Sequence, residues 1–313
     1  MTAHAPFEWV GYGGTVESRP VPREAVLVVN AHSRRGDQLY RDACDRLEAA
    51  GIRITDAHLV HDRQHLVPVV RKAVEAGAPM IIVGGGDGSL SSAVDEIVDR
   101  DCVFALLPLG TANSFARTLG IPLHLEGAVR TIATGERRRL DLGIVNGDYF
   151  ANAAAIGVSP LIGETLPHKL KRYLGRVGYL LWAIWCLIRF APFRFYVDDG
   201  SGPRSLWATE VRIFNGRFHG SVELAEGERL DDGEIVVQVV TGKSVLKLMW
   251  DWLARFLKLP GRGATTEEFR GERLFVDTRP RLKISVDGEV LTKTPAVVES
   301  AHKAIEVVVP RQP

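Results

Sequence analysis

Several things are scarce in this chain, and each scarcity removes a class of reading. Only three of the 313 residues are cysteine, at Cys44, Cys102 and Cys186. They lie too far apart in sequence for a metal-ligand spacing or a disulfide framework, which points to a reducing, cytoplasmic setting. Charge of one sign is missing: the formal net charge is +1, so the whole chain offers no electrostatic case for nucleic acid. Long hydrophobic runs are missing too. The most apolar stretch, Leu170 to Val197, has an uncharged core of 12 residues (Val177 to Ile188), too short to span a bilayer. The nine histidines show no metal spacing, and the trio His58, His61 and His65 reads as a solvated face. The opening residues lack the basic-then-apolar layout of a signal peptide, and residues 1–24 read as a loose extension.

Glycine, by contrast, is concentrated. Met80-Ile81-Ile82-Val83 runs straight into Gly84-Gly85-Gly86, then Asp87-Gly88-Ser89-Leu90-Ser91 and a helical pattern. A glycine turn between strand and helix lets backbone N–H groups approach an anion without Cβ obstruction, and phosphate is the natural guest. Asp87 in the middle of that turn would repel phosphate unless it holds a metal or a proton. The combination reads as a nucleotide site built for phosphoryl transfer.

Around this turn the first half alternates strand and helix. Strands are expected at Ala25–Asn30, Ile52–Thr55, Met80–Val83 and Val103–Pro108, with helices over 37–50, 66–76 and 90–98. This is the pattern of parallel βαβ units, which bind ligands beyond the carboxyl ends of their strands. Asn30, Thr55, the 84–89 turn and a second glycine turn with Gly110, Thr111 and Asn113 are all read as lying at such ends. From about Leu140 short strand-like runs take over, among them 149–155, 235–240, 282–287 and 304–309. Asn-Gly and Asp-Gly turns punctuate them, which implies a mainly antiparallel, β-rich domain. The organisation expected is an extension (1–24), a parallel-sheet α/β nucleotide-binding domain (25–140) and a β-rich domain (141–313). The active site would lie in the groove between the last two.

The ordered set Gly85-Gly86-Asp87-Gly88-Ser89 and, some twenty residues on, Pro-Leu-Gly-Thr-Ala-Asn-Ser-Phe-Ala resembles the diacylglycerol kinase catalytic-domain family, which includes bacterial soluble lipid kinases and sphingosine kinases. Further matches are the Asn30–Gly36 turn, the 135–143 strand, Phe150 to Gly157, and the acidic turns Asp231-Asp232-Gly233-Glu234 and Val286-Asp287-Gly288-Glu289. The first turn lacks the family's proline and is longer, and Ser89 stands where threonine is commoner. The resemblance implies an α/β domain followed by a β-sandwich lipid-binding domain whose last strand returns to the first. It implies ATP and Mg²⁺ as cofactors. Nucleotide contacts would come from Asn30, Ser33, Thr55, Gly85, Gly86, Asp87, Gly88, Ser89, Leu90, Ser91, Gly110, Thr111 and Asn113. Metal ligands would be Arg229, Asp232 and Glu234, and catalytic groups Asp87 with a general base that is either Glu289 or Asp287.

A basic run, His168 to Arg172, precedes the apolar stretch, and Lys247 to Leu259 alternates Trp and basic residues at helical spacing. Both suit a membrane interface as well as ordinary packing. The partners expected are therefore a lipid substrate and a membrane surface contacted peripherally, with no nucleic acid and a homodimer left open. Two other readings stay in play. One is a soluble small-molecule kinase of the NAD kinase or phosphofructokinase type, which shares the Gly-Gly-Asp-Gly sequence. The other is a lipid-binding regulator without turnover.

Overall fold

A computed structural model describes residues 15–16, 19–30, 34–165, 178, 181–215, 218–219, 222–223, 233–244, 248, 250 and 266–311. In chain order the first half runs β1 (Thr15–Val16), β2 (Glu24–Asn30), α1 (Arg34–Ala49), β3 (Arg53–Val60), α2 (Arg63–Glu75), β4 (Met80–Gly85), α3 (Asp87–Ile97), β5 (Val103–Pro108), α4 (Ser114–Thr118), α5 (Leu125–Thr134), β6 (Glu136–Val145) and β7 (Asp148–Phe150). The second half runs β8 (Ala153–Gly157), α6 (Val158–Thr165), β9 (Phe193–Asp198), β10 (Arg204–Phe214), β11 (Phe218–His219), β12 (Val222–Glu223), β13 (Ile235–Thr241), β14 (Thr266–Gly271), β15 (Arg273–Arg279), β16 (Lys283–Val286), β17 (Glu289–Lys293) and β18 (Ala296–Val309).

The N-terminal α/β unit places parallel strands in the order β5-β4-β2-β3. Strands β2, β4 and β5 carry almost unbroken β-branched and apolar runs because helices cover both faces. The sheet is mixed rather than purely parallel: β18 joins β5 in parallel and then pairs antiparallel with β6. The order of strands reverses between β2 and β4, so a crevice opens where Asn30 ends one strand and Gly85 the other. The C-terminal unit is antiparallel and strand-rich, with β17-β16-β8-β10-β9-β15 in sequence and β13 and β14 branching from β10. The two largest hydrophobic cores among the described residues lie under the parallel strands and under β8, β9, β10, β13 and β16.

Strand β18 belongs to both. Ala296 and Val298 lie in the second core, and Ala304, Ile305 and Val307 to Val309 in the first. Its register against β6 slips between Ala301 and Ile305, where Lys303 takes φ 52°. Asp141, on β6 and buried, holds this bulge. Its Oδ1 accepts the Lys303 N–H at 2.7 Å and faces His302 Nδ1 at 3.0 Å, and its Oδ2 accepts the Gly233 N–H at 2.8 Å.

Several sequence expectations are revised. β3 runs to Val60 rather than ending at Thr55. The strand read over 149–155 is two, β7 and β8, because the N–H groups of Ala151, Asn152 and Ala153 are taken by a carboxylate instead of a ladder. Thr15 and Val16, inside the segment read as loose, pair with Arg139 and Arg138. The region 247–259 lies outside the described residues except Leu248 and Trp250.

Glu306 on β18 is a buried anion of the sheet, bonded to the Arg137 guanidinium on β6. Removing one partner of such a pair strands the other's charge in low dielectric. Glu306→Gln is expected to lower stability by about 3–5 kcal/mol, read as a shift in the urea midpoint of unfolding.

Candidate active site

The glycine turn begins where β4 ends. Gly86 caps α3 with no side-chain hydrogen bond; the Ser89 and Leu90 N–H groups donate to Gly86 O, which leaves those of Asp87 and Gly88 as the open donors at the start of the helix. The second glycine turn lies against the first. The Leu109 N–H donates to Gly85 O at 2.9 Å, and a Cβ on Gly110 would sit 2.4 Å from the Gly86 Cα. Glycine at both places is therefore a requirement of close backbone approach. Asn113, in the left-handed region at φ 50°, staples the second turn: its Oδ1 accepts the Gly110 N–H and its Nδ2 donates to Gly110 O. Thr111 is exposed on that turn.

Asn30 closes the floor. Its Nδ2 donates to Ser89 Oγ at 2.8 Å, while its buried Oδ1 has no partner. An orphaned acceptor beside open helix N–H groups and two glycine backbones forms a cradle suited to phosphate oxygens on one side and a donor group on the other. Asp87 opens α3 and reaches toward α4, accepting weakly from the Phe115 N–H at 3.4 Å. Among the described residues no group of three or more histidine, cysteine or carboxylate side chains is placed to hold a metal. A divalent ion at this site would be held by Asp87 together with phosphate oxygens, the mode Mg²⁺ favours.

Opposite the glycine turn stands the β16–β17 hairpin. Its two-residue loop, Asp287-Gly288, takes φ 45° and 93°, the geometry of a primed turn. The Asp287 carboxylate points inward and is saturated. Oδ2 accepts from Ser91 Oγ at 3.0 Å and Ala151 N at 2.9 Å, and Oδ1 accepts from Asn152 N and Ala153 N, both at 3.1 Å. Burial pushes the Asp287 carboxyl up from its ordinary value, and the four donors oppose that shift. The turn thereby ties α3 of the first unit to β8 of the second. Glu289, two residues on, is exposed and lines a cavity of about 120 Å³ with Gly88, Ser91, Asp95 and Asp148.

Some residues expected to contact nucleotide do other work. Thr55 sits near the amino end of β3 and donates to Ala25 O, at the opposite edge of the sheet from the glycine turns, because the strand continues five residues further. Val60, not Thr55, is the residue beside Asn30. Leu90 packs in the core and its N–H is bonded to Gly86 O, and Ser91 serves Asp287. Glu234 is exposed next to Gly233, which Asp141 anchors; Ser33, Arg229 and Asp232 lie outside the described residues. Three acidic groups went unnoticed in the sequence: Asp141, Asp95 and Asp148. Asp95 lies one turn beyond Ser91 on α3, at i+4, a spacing that could have revealed it. Burial, then the charges of Asp148, Glu96 and Asp287, push its carboxyl up to about 6.

Residues 24–145 match the family model of the diacylglycerol kinase catalytic domain. A "probable lipid kinase YegS-like" protein of Pseudomonas aeruginosa is 30% identical over 86% of this chain and 89% of its own length. The chain belongs to the diacylglycerol kinase catalytic-domain family. A diacylglycerol kinase of Staphylococcus epidermidis is 26% identical over 92% of this chain and 93% of its own. The fold is that of a putative diacylglycerol kinase from Bacillus anthracis, with a TM-score of 0.78 at 21% identity over 93% of this chain and 97% of that one.

Two stability measurements separate the acidic groups. Asp287→Asn puts an NH₂ where donors converge, and is expected to cost about 1–3 kcal/mol in urea unfolding, whereas Glu289→Gln leaves the midpoint unchanged. Asp95 has a folded-state carboxyl raised to about 6 from the ordinary 3.8, so ionising it opposes folding. That penalty is absent near pH 4, grows as the pH rises toward 6 and is full above it. Asp95→Asn is therefore expected to raise the urea midpoint at pH 8 and to leave it unchanged near pH 4.

Proposed function

We propose that this chain is a lipid kinase that moves the γ-phosphoryl of ATP, with Mg²⁺, to a hydroxyl of a diacylglycerol-like or sphingoid lipid. The observation that carries this reading is the facing of the two halves: an anion cradle at the switch point of the α/β unit, and Glu289 across a small cavity from it. The glycine backbones and α3 N–H groups bind and orient phosphate, and Asn30 and Thr111 flank it. Mg²⁺ held at Asp87 would neutralise charge between phosphate oxygens.

The base is Glu289 rather than Asp287. All four acceptor positions of Asp287 are occupied by donors that it must keep to hold the turn. Its work is positional, setting the hairpin against α3. Glu289 lies on the same hairpin with its side chain at the cavity, where it can take the proton of an acceptor hydroxyl.

The helical residues 181–189 support a lipid acceptor over a soluble one. Ala183, Cys186 and Leu187 pack on Val158 and Ile162 of α6, which in turn packs on β17. The other face leaves Leu181, Ile184, Trp185 and Ile188 exposed at i, i+3, i+4 and i+7, the last at 75% exposure. Arg189 lies over the Trp185 ring at 4.4 Å. An apolar stripe with an aromatic and a guanidinium at its rim fits the interface of an anionic bilayer. No helix among the described residues is long and apolar enough to cross a membrane.

The test uses labelled ATP, Mg²⁺ and mixed micelles of diacylglycerol, monoacylglycerol and sphingosine, with each phase counted after extraction. Label is expected in the organic phase, lowered about 10²–10⁴-fold in Glu289→Gln, the usual contribution of a general base. Trp185→Asp/Ile188→Asp is expected to lose activity on vesicles and keep it on a short-chain soluble acceptor. Label confined to the aqueous phase with every lipid would overturn the assignment.

A further inference from the structure

The edge of the sheet remote from the glycine turns has a chemistry of its own. Arg19, Arg23, Arg137 and Arg311 line a cavity of about 430 Å³ between the segment entering β2, the end of α5 and the chain leaving β18. That volume is within the range of small-molecule sites. Strand β2 separates it from Asn30 by seven residues, roughly 20 Å at about 3.3 Å per residue.

The charges in this cavity do not balance. Arg137, only 6% exposed, is bonded to the buried Glu306, and Arg19 approaches the same carboxylate at 3.7 Å. Glu136, the one acidic residue lining the cavity, is bonded by Arg138 at 2.6 Å. Arg23 donates only to a carbonyl, Ala133 O, at 3.0 Å. That bond caps an α5 carbonyl without neutralising the guanidinium. Arg311 is exposed, and among the described residues neither it nor Arg23 has a carboxylate partner. Two guanidiniums with donors to spare thus converge on one concave site, with Arg137 fixed behind them. The planar donor fork of arginine matches phosphate oxygens in pairs.

We infer that this amino-edge cavity is a second anion site, one that takes a phosphate group and is distinct from the nucleotide cradle. The phosphate belongs either to a free phosphorylated solute or to the headgroup of an anionic lipid, since both present the same oxygens to Arg23 and Arg311. The site stands whether or not the opposite edge transfers phosphate to lipid.

Calorimetric titration of the full chain with pyrophosphate tests it. Gly110→Ala closes the nucleotide cradle by backbone clash, which leaves the arginine cavity to be read alone. In that background pyrophosphate binding is expected to persist and to weaken at least tenfold on adding Arg23→Ala/Arg311→Ala. In the wild-type background, which guards against a folding defect of Gly110→Ala, the same arginine pair is expected to remove one of two equivalents of bound pyrophosphate. Its urea midpoint should fall only slightly, by the loss of the Arg23 bond to Ala133 O, because both side chains are exposed. A companion experiment sediments the protein with phosphatidylglycerol or phosphatidylcholine vesicles. Arginine-dependent pelleting with phosphatidylglycerol alone identifies the source as a lipid headgroup, and pyrophosphate binding without pelleting identifies a soluble ligand. Pyrophosphate affinity that is equal with and without the arginine pair, or that vanishes in a folded Gly110→Ala, overturns the site.

Discussion

The carboxylate of Asp287 is the contact on which the active-site cleft depends. One side chain receives a hydroxyl from α3 and three consecutive N–H groups from the start of β8, so a single anion fixes the distance between a glycine turn and a hairpin from different halves of the chain. The cost is burial of charge, and it is offset only because both oxygens are fully bonded. The left-handed backbone at Asp287 belongs to the same bargain. A primed two-residue turn swings the carboxylate inward while leaving Glu289, at the first position of β17, turned to the cavity. Of the two acidic residues of one short motif, one thus has its carboxylate buried in the structure and the other is exposed at the cavity.

A second buried carboxylate does related work at longer range. Asp141 gathers the bulge of β18 and the Gly233 N–H onto β6. The bulge is what lets one strand serve two cores: the slip at 301–305 re-aims the side chains so that Ala296 and Val298 face one core and Ala304, Ile305 and Val307 to Val309 the other. The two halves of the molecule are therefore joined by main-chain hydrogen bonds along a continuous strand. Their relative placement does not rest on the cleft contacts alone.

Strands β2, β4 and β5 were legible because each is a short apolar run bounded by glycine or a polar turn, and the glycine turn after β4 because three glycines before an aspartate have little other use. The turns Asn146-Gly147 and Asp287-Gly288 announced their hairpins in the same way. What sequence did not reveal has physical causes. Thr55 was misplaced because β3 is an edge strand whose outer half, Asp56 to Leu59, alternates too weakly to extend an apolar run. The break at 151–152 was invisible because its cause, the Asp287 carboxylate, lies over 130 residues away. Asp141, Asp95 and Asp148 each look like an ordinary surface acid until the fold buries them or brings them together.

The acids around the cavity impose a constraint on any chemistry there. Asp95, Asp148 and Glu289 line about 120 Å³ beside Asp287, and burial, with the charges of Asp148, Glu96 and Asp287 added to it, pushes the Asp95 carboxyl up to about 6. Each further negative charge makes the next harder to sustain. A phosphorylated nucleotide brings more. The cradle answers this with helix N–H groups and a glycine backbone, which supply positive potential without a side chain in the path of the transfer. In the proposed reaction, acids concentrated on the hairpin side and backbone donors on the glycine side would separate the group that takes the proton from the groups that hold phosphate.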